Sequence, residues 1–133
     1  MRTDAREAVL KYLYAQSFNS QNGEGLWKSV CKNLSAEEAA FAGELYGKVD
    51  GNREHILAVI DQNIHHFKED RLYPVDRAIL MIAVAEILYF DDIPAAVSIN
   101  EAVDLVQKYS TEKSADFVNG VLAGVNSSVR QSD

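Results

Sequence analysis

Between Ala78 and Phe90 every residue but Glu86 is apolar, and this stretch limits the fold more than any other. A helix that is apolar on all sides has to be surrounded by other elements, so it belongs in the middle of a bundle. It is too short to span a membrane, and it carries a carboxylate. Pro74 stands just ahead of it, at a first-turn position that suits proline. Asp91-Asp92-Ile93-Pro94 closes it. A buried carboxylate without a partner is costly. Glu86 therefore reads as structural, with Arg6 or Arg77 as its counter-ion.

The rest of the chain supplies the surrounding helices. Ala5, Ala8, Val9, Tyr12, Leu13 and Gln16 form a stripe at i, i+3, i+4 spacing, which predicts a helix from about Thr3 to Ser17. Ser20-Gln21-Asn22-Gly23 reads as a turn. A short helix follows around Glu24 to Lys32, carrying Leu26, Trp27 and Val30. Ser35-Ala36-Glu37-Glu38 has the form of a capping box and opens a helix through Phe41, Leu45 and Val49. Asp50-Gly51-Asn52 breaks or bends it, and helical spacing resumes through Ile56, Ile60 and Ile64. Ser98-Ile99-Asn100-Glu101 reads as a second capping box, with Val97 and Ala102 as a hydrophobic staple, opening a helix that ends near Tyr109. The last helix starts near Thr111 or Ser114. Period-2 strand patterns are absent. The expectation is an all-α domain of six or seven helices over residues 1–133.

Composition limits the function classes. The net charge is −7, which argues against a general nucleic-acid binder, because neutralising phosphates needs Lys and Arg. The first helix is the exception: Arg2, Arg6 and Lys11 there outnumber Asp4 and Glu7. Any RNA site has to be small and local. The single cysteine, Cys31, rules out an internal disulfide and has no base beside it, so a catalytic thiol is not expected. His65 shares a helix face with Asp61 and Glu69, but no second histidine completes a metal site. No phosphate-cradling glycine loop or nucleophile elbow occurs. No cofactor, metal or catalytic residue is expected. The N-terminus lacks the apolar core of a signal peptide, which suggests a cytoplasmic address.

Phe117-Val118-Asn119-Gly120-Val121-Leu122 sets Asn and Gly inside an apolar helical run. Gly costs a helix interior about 1 kcal/mol relative to Ala, and Asn prefers caps. Either close helix packing or a partner surface has to offset that cost. The packing reading has Asn119 bonding to a helix end or loop and Gly120 letting two helices approach.

These residues carry a family resemblance. Arg77-Ala78-Ile79-Leu80, Ala85-Glu86-Ile87, Ile93-Pro94, Ile99-Asn100-Glu101-Ala102-Val103-Asp104-Leu105, Lys108 and Phe117 to Leu122 follow one another as in the NusB family of bacterial transcription antitermination factors. Ala5-Arg6-Glu7 and Leu13-Tyr14 resemble the family's opening. The resemblance implies two packed helical subdomains, about 1–73 and 74–133. It also implies a partner, the ribosomal protein NusE, and an RNA ligand, the boxA element of ribosomal RNA leader transcripts. The setting it implies is an antitermination complex on RNA polymerase, with no chemistry performed.

The resemblance also assigns candidate residues. Arg2 and Arg6 are candidates for phosphate contact, against the plain alternative of a solvated helix face. Tyr14 and Phe117 are candidates for stacking on unpaired bases, against the alternative of core aromatics. Lys113 stands where relatives often carry an acid, and a lysine there favours phosphate. Asp76 and Met81 stand where the family's partner-binding helix meets NusE, and Asp76 suits a basic residue of that partner. The acidic chain and its few N-terminal arginines leave a second reading: an interaction module that keeps NusE and binds RNA weakly or not at all. A homodimer is also compatible with the sequence.

Overall fold

The structure, a computed structural model, describes residues 2–18, 23–65 and 71–132, with side chains to residue 129. Of the turn expected at Ser20 to Gly23, all but Gly23 lies outside the described residues, as does Glu69, which the sequence sets on one helix face with Asp61 and His65. The described residues form seven helices and no strand. They are α1 (Arg2–Gln16), α2 (Glu24–Val30), α3 (Ala36–Gly51), α4 (Arg53–Gln62), α5 (Pro74–Tyr89), α6 (Ala95–Tyr109) and α7 (Glu112–Ser132).

α5 is the central helix. It packs against α1, α3, α4, α6 and α7, and Ala78 to Glu86 are all buried along it. One continuous core joins both halves of the chain: Val9 and Leu13 of α1, Leu45 and Val49 of α3, Ile56 and Ile60 of α4, and Val118 and Leu122 of α7 belong to it together with Ala78 to Ala85 of α5. α2 is peripheral and buries none of its residues fully. It is held by Trp27, whose ring meets Tyr12 edge-on at 5.1 Å and Tyr46 at 5.4 Å, a preferred arrangement of aromatic quadrupoles.

Local signals set several helix ends. Ser35 Oγ accepts from the Glu38 amide at 3.2 Å, and Glu38 Oε1 accepts from the Ser35 amide at 2.8 Å, closing the capping box of α3. Asn52 separates α3 from α4. Pro74 is the first residue of α5. The second expected box does not form. α6 begins a turn earlier, at Ala95 after Pro94, and Ser98 lies inside the helix. Its hydroxyl points inward and donates to Glu86 Oε1 at 2.8 Å, a charge-assisted bond to a buried carboxylate.

Candidate nucleic-acid interface

α1 supplies the first candidates, and the structure separates them. Arg6 is only 3% exposed. Its guanidinium faces Glu86 side-on, with Nε to Oε2 at 2.6 Å and Nη2 to Oε1 at 2.9 Å. Nη1 lies 3.5 Å from Glu101, which also accepts from Thr3 Oγ1 at 2.8 Å. This corrects the phosphate-contact expectation for Arg6: its fork is taken by carboxylates inside the bundle, where a phosphate does not reach. The pairing also answers the Glu86 question in favour of Arg6. Arg2 remains half-exposed, stacked over Phe41 at 4.3 Å and 3.7 Å from Asp92. Such an exposed pair is weak and exchangeable.

Tyr14, on another face of α1, is 43% exposed and meets Phe18 edge-on at 5.0 Å. With Leu10, Lys11, Val75 and Tyr109 it lines an apolar hollow of 310 Å³. Phe18, Tyr73 and Tyr109 are exposed as well. Tyr109 was not expected from the sequence, since a tyrosine at the end of a helix gives no periodic signal. At the surface, Lys108 Nζ donates to Glu7 Oε2 at 2.7 Å, tying α6 to α1. Burial pushes the Glu7 carboxyl upward, but hydrogen bonds from Lys108 and Tyr109 and the charges of Lys108 and Lys11 hold it below the ordinary range. The same bond to Glu7 holds the Lys108 ammonium above its ordinary value.

The start of α7 supplies the next group. Lys113 is exposed, and Phe117 is half-buried against the core. Asp76 and Met81, expected at a partner surface, are 3% and 5% exposed. α5 is wrapped by its neighbours at both positions, so neither side chain projects outward. Asp76 Oδ2 accepts instead from Ser114 Oγ at 2.8 Å. Met81 lines a hollow of 300 Å³ with Leu13, Arg53, Leu57 and Arg77.

Asn119 and Gly120 are both exposed, and a Cβ at Gly120 would meet nothing within 4 Å. This overturns the packing role expected of the pair. The close approach falls on Gly124, where a Cβ would run into the Asn63 carboxamide of the α4 end. Asn119 borders an open polar cleft with Asn100, Asp104, Gln107 and Asp116.

Among the described residues, no group of three or more His, Cys, Asp or Glu is placed to hold a metal. Burial pushes the Cys31 thiol up, away from the reactive thiolate. No helix among the described residues is long and apolar enough to cross a membrane. The arrangement offers aromatic faces with a few cations around them, which suits binding to bases and phosphates.

Comparison with known proteins gives a consistent result. The chain matches the model of the NusB family over residues 3–127. It is 36% identical over 126 residues to the transcription antitermination protein NusB of Natranaerobius thermophilus, covering 91% of each chain. Its fold is similar to that of T. maritima NusB, with a TM-score of 0.89 at 29% identity, over 96% of this chain and 91% of the other. It is also similar to a chain in a crystal structure of the antitermination factors NusB and NusE in complex with double-stranded RNA. There the TM-score is 0.85 at 31% identity, over 96% of each chain.

Proposed function

Because the chain belongs to the NusB family, we propose that it is an RNA-binding transcription antitermination factor that pairs with the ribosomal protein NusE. Its RNA ligand is of the boxA type, in ribosomal RNA leader transcripts, and its setting is the antitermination complex on RNA polymerase. That places it in the cytoplasm and makes it a binding factor, not an enzyme. The observation that carries this reading is the likeness, over 96% of both chains, to a structure containing NusB, NusE and RNA.

Within that reading, Tyr14 and Phe117 stack on bases, while Lys113 and the half-exposed Arg2 meet phosphates. Arg6 supports α1 from inside. Met81 forms the floor of its hollow, which is assigned to a NusE side chain. The division near residue 73 makes α5 the first helix of the C-terminal subdomain.

A gel shift with boxA-type RNA, with and without NusE, tests the proposal. The pair is expected to shift the RNA at low salt. The two phosphate contacts, on a single strand, give a slope of about −1.4 for log affinity against log salt. A pair that forms but shifts no RNA at low salt would favour the interaction-module reading, which the net charge of −7 and the sequestered Arg6 motivate.

A further inference from the structure

Asp76 is the third residue of α5, and Ser114 is the third of α7. Both are buried, at 3% and 8% exposure, and they bond to each other across 38 positions of sequence. Thr111, just before α7, caps it: its Oγ1 accepts from the Ser114 amide at 3.1 Å. The same Oγ1 donates to Ser114 Oγ at 3.2 Å, and Ser114 Oγ donates to Asp76 Oδ2 at 2.8 Å. An ionised carboxylate accepts only, whereas a hydroxyl both donates and accepts. Asp76 therefore sets the direction of the relay, with each hydroxyl proton pointing towards it. One carboxylate thus sits at the start of two helices, where both dipoles favour negative charge. Among the described residues, Oδ1 has no hydrogen-bond donor, so Oδ2 makes the whole link.

We propose that Asp76 is a positioning residue for RNA, acting through Ser114 and Thr111 on the start of α7. The proposal rests on the RNA-binding reading above. Lys113 lies within the capped first turn, and Phe117 follows Ser114 by one turn. Val75, next to Asp76, lines the hollow under Tyr14. The Asp76 link therefore fixes the spacing between Tyr14 on one side and Lys113 and Phe117 on the other. An RNA that touches both depends on that spacing.

The test measures boxA-type RNA affinity with NusE saturating, and NusE affinity without RNA. Ser114→Ala and Asp76→Ala are each expected to weaken RNA binding about three- to tenfold. The double variant should be no weaker than the worse single, because both remove one link. Asp76→Asn keeps an acceptor for Ser114 and should stay within about twofold of wild type. Ser114→Ala should leave NusE affinity unchanged. Amide exchange in the first turn of α7 should speed up in Ser114→Ala and not in Asp76→Asn, and Ser114→Ala is the milder change should Asp76→Ala fold poorly. Wild-type RNA affinity in Ser114→Ala would overturn the proposal alone. Loss of NusE binding in both Asp76 variants, with Ser114→Ala unaffected, would make Asp76 a charge contact to the partner. A wild-type pair that binds no RNA would sink the antitermination reading, and this proposal with it.

Discussion

Arg6 and Glu86 lie 80 positions apart and meet inside the bundle. Ser98 completes the site from a third helix. Removing one partner of a buried pair strands the other charge, at a cost of about 3–5 kcal/mol. Arg6→Ala and Glu86→Ala are each expected to lower the urea midpoint sharply. Arg6→Met with Glu86→Leu should recover most of the loss, since similar volume without charge needs no counter-ion. A double variant no better than either single would contradict this account. Glu86 showed its need for a cation in the sequence, because one carboxylate in an apolar helix has few alternatives. Arg6 did not show its burial, because an arginine on an amphipathic helix looks the same whether it faces water or a carboxylate on another helix.

At the scale of the helix, α7 shows how sequence and packing divide the information. Asn119-Gly120 marks a weak point in a helix, and that much was legible. Which glycine another helix approaches was not, because it depends on where α4 ends. Gly120→Ala adds a methyl group in open space and should stabilise by about 0.5–1 kcal/mol through helix propensity. Gly124→Ala forces the Asn63 carboxamide from its place, where Nδ2 donates to Val59 O at 3.0 Å. Losing that bond costs about 0.5–1.5 kcal/mol and offsets the gain in propensity. Gly120→Ala should therefore raise the melting temperature, by about 4 °C per kcal/mol, and Gly124→Ala should raise it less or not at all. An equal rise in both would remove the packing role of Gly124. The capping box at Ser35 was legible because it is closed by neighbours in sequence. The one expected at Ser98 failed because α6 already starts at Ala95 after Pro94, which leaves Ser98 inside the helix with its own amide bonded to Pro94 O.

Over the whole molecule, α1 is joined to α6 by the Glu7–Lys108 bond as well as by Arg6. The pH dependence follows from the two shifts. Glu7 is held below the ordinary carboxylate range in the folded protein. Its contribution is complete above that range and is lost as pH falls through the lowered value. Lys108 is held above the ordinary lysine value. Its contribution is complete below that value and is lost as pH rises through the raised one. The link is therefore intact at neutral pH and fails towards both extremes. Urea midpoints measured from about pH 7 to pH 3 should fall less steeply in Glu7→Gln than in wild type. Identical slopes would show that Glu7 adds nothing to acid stability.

The sequence by itself determined the all-α class, the central place of α5 and the family. These follow from periodicity, from an apolar stretch that leaves a helix nowhere else to go, and from motif order along the chain. Only the tertiary structure decided which charges face outward. Arg6, Asp76 and Met81 became interior residues, while Tyr14 stayed at the surface beside an unforeseen Tyr109. Side-chain exposure depends on what packs against a position, and the packing partners here come from helices far apart in the chain.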